Sequence, residues 1–194
     1  PEGFAAKLND EIAEAKLKNA KKGAKTVVRW HDAGDFFSEQ YLDMAYSVAN
    51  ANPGVSFYAY TKMGDIANIA DPNFIMNFSD DANKRETEKV DTSKTKVSKI
   101  VPKELFSDIF MKNGPHYVKG DDGKAVFKDE QSKEKLKNLI SVKYNLPYES
   151  LVFTDELPKD QDEPLKYNVI VLPTGDSDVG AQRRDVWYSL LLQH

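Results

Sequence analysis

The feature that most constrains this chain is an alternation between residues 25 and 81. Three short runs rich in β-branched and aromatic residues, Lys25–Trp30, Val55–Tyr60 and Phe74–Phe78, read as buried strands. Between the first two, Ser38 can N-cap a helix running to about Asn50, and Asn52-Pro53-Gly54 ends it. Between the second and third, a short helical stretch lies around Met63–Ile69 and Asp71-Pro72 breaks it. Strand–helix–strand–helix–strand with short links calls for crossover connections, which make the strands parallel. The fold class expected is therefore α/β, a parallel sheet built from βαβ units, open or partly barrel-like.

The flanks extend this pattern. Phe4, Leu8, Ile12 and Ala15 share one face of a helix over Phe4–Lys22, with lysines in its last turn and Gly23 as its stop. Residues Asn83–Lys103 hold seven basic and three acidic residues and few large apolar ones, which reads as an exposed insertion or linker. Pro102–Phe110 suggests a short helix. Asp122-Gly123 between Tyr117-Val118 and Ala125-Val126-Phe127 signals a β-hairpin. Asp129–Ser141 reads as a charged helix, Leu151–Phe153 as a strand, and Asp155–Pro164 as an acidic loop. Tyr167–Leu172 is a buried strand, and a last helix is expected from Ser177 or Asp178 through His194, with Val179, Val186, Leu190 and Leu191 facing in. The reading is one α/β domain over residues 1–194, with residues 83–165 as an insertion or divergent half.

Composition narrows the chemistry. The chain has 194 residues, a net charge of -4 and no cysteine. That excludes disulfides, a thiolate metal site, a cluster held by its own cysteines and a cysteine nucleophile. No run approaches the ~20 apolar residues of a membrane span. Neither GxGxxG nor GxxxxGK[ST] occurs, so no phosphate loop is legible, and the residues name no cofactor. The first residue is Pro1 rather than Met, which reads as a fragment or a processed product.

In parallel α/β folds, ligands meet the carboxyl ends of the strands. Those ends here are polar: His31-Asp32-Ala33-Gly34-Asp35, Tyr60-Thr61-Lys62, Ser79-Asp80-Asp81 and Pro173-Thr174-Gly175-Asp176. Two kinds of chemistry fit them. Asp32, Asp35, Asp80, Asp81 and Asp176 could supply oxygen ligands to a hard cation, with His31 tilting the choice toward a transition metal. Alternatively, His31 beside Asp32 and Asp35 could act as a general base, with Lys62 as an amine or anion anchor. The plainer reading is that the aspartates cap helices and form turns. Thr61, Asp80, Thr174, Asp176, Arg183 and Arg184 complete the candidate ligand-binding set. Arg183 and Arg184 could reach Asp176 and Asp178 or hold an external anion. Lys84–Lys103 could contact nucleic acid or an acidic protein, or be a solvated loop. Tyr58 and Tyr60 alternate with Phe57 and Ala59 and are better read as core than as a base-stacking platform.

The segment VRWHDAGDFFSEQYLDMAYSVANANPGVSFYAYTK resembles the core of the phage gene product 88-like proteins. The matching positions are Asp32, Gly34, Asp35, Phe36, Ser38, Tyr58, Tyr60, Thr61 and Lys62, and Arg183-Arg184-Asp185 fits as well. The resemblance implies phage origin and a partial β/α-barrel, and carries no established activity with it. It also implies likeness to truncated radical-enzyme barrels, whose cysteines this chain lacks. The leading expectation is a phage-encoded protein acting by binding, virion-associated or accessory, found in the virion or the host cytoplasm. Its partners would be other phage proteins or a second copy of itself, with no membrane. The rivals are a small enzyme or enzyme remnant at the strand ends, with a metal left open, and a nucleic-acid-binding accessory protein.

Overall fold

The computed structural model describes residues 2–31, 34–101, 117–121, 125–159, 167–170 and 178–192. The expected helix over Pro102–Phe110, the hairpin turn at Asp122-Gly123, most of the acidic loop after Lys159, and Thr174 and Asp176 lie outside the described residues. The chain divides into two compact units, Pro1–Lys96 and Val97–His194.

The first unit holds α1 (Glu2–Ala20), β1 (Val27–Trp30), α2 (Glu39–Ala51), β2 (Ser56–Thr61), α3 (Gly64–Ala67), β3 (Phe74–Ser79) and α4 (Lys84–Thr87). The strands run parallel in the order β1-β2-β3. The register sets Val28 opposite Phe57 and Trp30 opposite Ala59. Phe57 and Ala59 in turn face Phe74 and Met76 on β3. These side chains share one face because strand periodicity is two. They pack against Ile12 of α1 and Leu42, Ala45, Tyr46, Val48 and Ala49 of α2. Phe57 and Phe36 are fully buried, and each such ring contributes about 1.5–3 kcal/mol by leaving water.

Local chemistry fixes the helix ends. Ser38 stands in extended backbone, and its Oγ accepts from Tyr41 N at 3.2 Å, as a capping serine should. Asn52 closes α2 and donates to Asn9 Oδ1 of α1 at 2.7 Å, which ties the two helices together. Gly64 is required where it stands, since a Cβ would meet Glu86 O at 2.2 Å. Its N–H donates to Glu86 Oε2 at 2.9 Å, and Lys89 Nζ reaches Asp65 at 2.7 Å and Glu86 at 3.0 Å, so α3 and α4 are clamped together.

The second unit holds β4 (Lys96–Val101), which begins at the boundary, the antiparallel hairpin β5 (Tyr117–Lys119) and β6 (Ala125–Phe127), α5 (Glu130–Tyr144), β7 (Leu151–Phe153), β8 (Tyr167–Ile170) and β9 (Val186–Leu192). Its parallel strands run β4-β9-β8-β7. Leu136 and Ile140 of α5 pack with Val101, Leu151, Phe153, Ile170 and Leu190. Asp129 caps α5 through Ser132 N at 2.7 Å. Each unit's strands form an open row rather than a closed barrel. The α/β class, the parallel βαβ-type sheet and the hairpin all hold.

Two expectations fail here. The last segment is not a helix through His194, because Val186–Leu192 is strand β9, paired on both sides. Val186 and Leu190 are four apart, a spacing that suits one helix face and also one strand face. The aromatic pair Trp187-Tyr188 and pairing with two neighbours decide for the strand. The Lys/Thr/Ser stretch is not simply an exposed linker either. It contains α4 and β4, and in β4 Ser98 and Val101 are buried.

Candidate functional site

Because β1, β2 and β3 are parallel, their carboxyl ends share one edge, and the turns that follow them meet there. His31 follows β1 in left-handed backbone (φ 63), and Gly34 has φ 99. A non-glycine residue at positive φ is uncommon and persists only where its surroundings hold it.

Asp35 is the hub of this edge. Its Oδ1 accepts from Phe36 N at 2.8 Å and from Thr61 Oγ1 at 2.6 Å. Its Oδ2 accepts from Lys62 N at 2.7 Å. Thr61, which is buried, also accepts from Met63 N at 3.1 Å. The carboxylate thus staples the turn after β1 to the end of β2. Lys62 points its ammonium to Asp81 Oδ2 at 2.7 Å, and Ser79 Oγ donates to Asp81 Oδ1 at 2.7 Å. Partial burial pushes the Asp81 carboxyl up, but the Lys62 and Ser79 bonds outweigh it and hold it below the usual range. Asp80 is half-buried in the same turn. Gly34, Asp35, Tyr60, Thr61, Lys62 and Ser79 line a cleft of about 340 Å³.

His31 faces a different environment. Its ring stacks on Tyr41 at 5.4 Å, and its Nε2 lies 2.7 Å from the Tyr41 hydroxyl. Trp30 Nε1 donates to the same hydroxyl at 3.2 Å. Burial lowers the His31 pKa, and Asp35 offsets this only in part, so the imidazole is neutral at pH 7. Its Nδ1 is buried and has no hydrogen-bond partner among the described residues.

Of the predicted set, the structure brings together Asp35, Thr61 and Lys62 in the cleft, has Asp80 in the turn after β3, and places His31 against Tyr41. Asp32, Thr174 and Asp176 lie outside the described residues. Arg183 is buried, its Nε and Nη2 form a paired contact with Asp185 at 2.8 and 2.5 Å, and Nη1 donates to Pro158 O. Arg184 is exposed. Among the described residues, no three His, Asp or Glu side chains gather as a metal would require. Three of the seven basic residues over Asn83–Lys103 are paired with acids: Lys84 with Glu88, Lys89 with Asp65 and Glu86, and Lys94 with Asp91. Tyr41 is the residue that sequence reasoning missed. It sits on the apolar stripe of α2, and nothing local in sequence marks its hydroxyl as the link between Trp30 and His31.

A parallel α/β sheet with an open polar cleft at its strand ends defines the class of this protein. The chain belongs to the gene product 88 family, whose model matches residues 1–146. The match covers the whole Asp35 edge and α5, whereas Arg183-Arg184-Asp185 lies beyond it. No curated protein and no solved structure matches the chain. No helix among the described residues is long and apolar enough to cross a membrane.

Proposed function

We propose that this is a phage accessory protein that acts by binding, with the cleft at the carboxyl ends of β1–β3 as its recognition edge and a component of the phage particle as its partner. The observation that carries the reading is the state of Asp35. Three of the roughly four acceptor positions of its carboxylate are taken by the chain's own backbone and by Thr61, Oδ1 twice and Oδ2 once, which builds the group into the scaffold. Lys62 is likewise held by Asp81. Groups engaged in this way build a rigid rim, and a preformed rim lowers the ordering cost of binding. Asp35, Asp80 and Asp81 outnumber Lys62 there, so the rim suits a basic partner surface.

The test is quantitative mass spectrometry of purified particles. The reading expects the chain at a fixed copy number per particle. It also expects Asp81→Lys, a reversal of charge on a side chain 40% exposed, to lower incorporation by tenfold or more. A chain missing from particles, or Asp81→Lys incorporated like the wild type, would overturn it.

A further inference from the structure

The amino ends of β1 and β2 lie at the end of the first unit away from the Asp35 cleft, because the strands are parallel. The chain enters β1 there from the last turn of α1, and enters β2 from the end of α2. Residues 15–31 hold five lysines, one arginine and no acid, and residues 47–64 hold no acid either. In a chain of net charge -4, this end is a local excess of positive charge. Lys18, Lys21, Lys22 and Lys25 are exposed, and none of the four pairs with an acid among the described residues. Asp71, which precedes β3, is already engaged: it accepts from Asn50 Nδ2 at 3.0 Å and from Asn73 N at 2.8 Å.

A built turn holds these lysines. Gly23 takes left-handed backbone (φ 67) just after α1. Gly23 N donates to Ala20 O at 3.0 Å and Ala24 N to Asn19 O at 3.0 Å, the paired bonds of a Schellman cap. Asn19 Nδ2 donates to Thr26 Oγ1 at 3.2 Å, which draws the entry to β1 back to the helix end and keeps Lys25 at the same end as Lys21 and Lys22. Lysines at a helix C-terminus can serve its unpaired carbonyls. Here Leu17 O, Asn19 O and Ala20 O accept from backbone N–H groups, so closing the helix leaves the ammonium groups to solvent. Lys25 stands beyond the helix altogether, and the helix dipole fades past the last turn.

We propose that this lysine-covered end docks on the phosphate backbone of nucleic acid without reading its sequence. Backbone recognition rests on cations that displace counterions, and it carries no sequence information. No aromatic residue lies among residues 15–29 or 47–56, so bases find no stacking platform there. A protein partner fits less well, because lysine is depleted where proteins meet proteins, whereas nucleic-acid interfaces are strongly positive. A membrane surface fits less well too. Leu17 and Val27 are exposed here, but Leu8 and Ile12, the apolar stripe that an interfacial helix would bury in lipid, pack in the core. The surface is separate from the Asp35 cleft and does not depend on what that cleft binds.

The test is fluorescence anisotropy of a short labelled DNA duplex of mixed sequence, titrated with the full chain over a range of salt. Four phosphate contacts predict a log–log salt slope of about −3.6, so affinity should fall roughly hundredfold between about 50 and 200 mM salt. Lys21→Gln with Lys22→Gln should flatten the slope by about 2 and weaken low-salt binding at least tenfold. Both lysines are exposed, so this variant should unfold like the wild type. Lys84→Gln with Lys94→Gln, in the other basic stretch, should change neither slope nor affinity. A duplex of unrelated sequence should bind equally well. No saturable binding at low salt, a slope unchanged by the Lys21 and Lys22 substitutions, or an equal loss from those at Lys84 and Lys94 would each overturn the proposal. So would a strong preference between the two duplexes, or tighter binding to vesicles rich in phosphatidylserine than to DNA.

Discussion

Two turns of this chain use an aspartate to hold backbone in place, at different depths. After β1, Asp35 is half-buried, and its carboxylate is satisfied by two backbone N–H groups and a hydroxyl. Before β9, Asp185 is 1% exposed and is matched by Arg183, whose guanidinium also binds Pro158 O. The difference follows from desolvation. Near solvent, neutral donors suffice for a carboxylate; in the interior, the charge needs an opposite charge with fork geometry. The comparison teaches that a charged residue in a polar turn can be a fastener. Its partners, rather than its type, decide whether it is available for chemistry.

The deeper fastener should break hardest. Asp185→Ala strands the Arg183 charge in the interior and should cost about 3–5 kcal/mol in urea unfolding. A loss under ~1 kcal/mol would mean the pair is not holding the turn. Asp35→Asn should cost about 2 kcal/mol, although it keeps the shape of the side chain. If its oxygen stays with Phe36 N and Thr61 Oγ1, its amide nitrogen must face the Lys62 N–H, and two donors oppose each other. Lys62→Met should cost under ~1 kcal/mol, because the pair with Asp81 is solvent-screened, with side chains 57% and 40% exposed.

The smallest effect is the pH response of His31. Its folded pKa lies below 6.5, so between that value and 6.5 the unfolded chain binds more protons than the folded one. Stability from this group is fully present above pH 6.5 and is lost as pH falls below it. The slope of stability against pH just below 6.5 should flatten in His31→Gly. An unchanged slope would place the titration elsewhere.

How far the sequence was legible depends on whether a feature is local. The strands β1, β2 and β3 and the Ser38 cap follow from periodicity and neighbouring residues, and they formed where expected. β4 was hidden because only Val97, Ile100 and Val101 are apolar among lysines, and β9 because a spacing of four fits helix and strand alike. His31, Asp35 and Lys62 were legible as residues of the strand-end edge. The role of Asp35 was not, since its bonds to Thr61 and Lys62 exist only through the pairing of β1 with β2, 26 and 27 residues away in sequence. The Tyr41 bridge was invisible for the same kind of reason, whereas Arg183 and Asp185 stand only two apart and their pairing rests on side-chain geometry that no spacing rule encodes.

Asp35 fastens the segment after β1 to the end of β2. A double-mutant cycle of Asp35→Ala and Thr61→Val, read by urea unfolding, tests it most directly. The account predicts a coupling of about 1–2 kcal/mol, because Thr61 donates to a charged acceptor at 2.6 Å. Single-mutant costs that add to within about 0.5 kcal/mol would contradict it, since that is the behaviour of residues that do not interact.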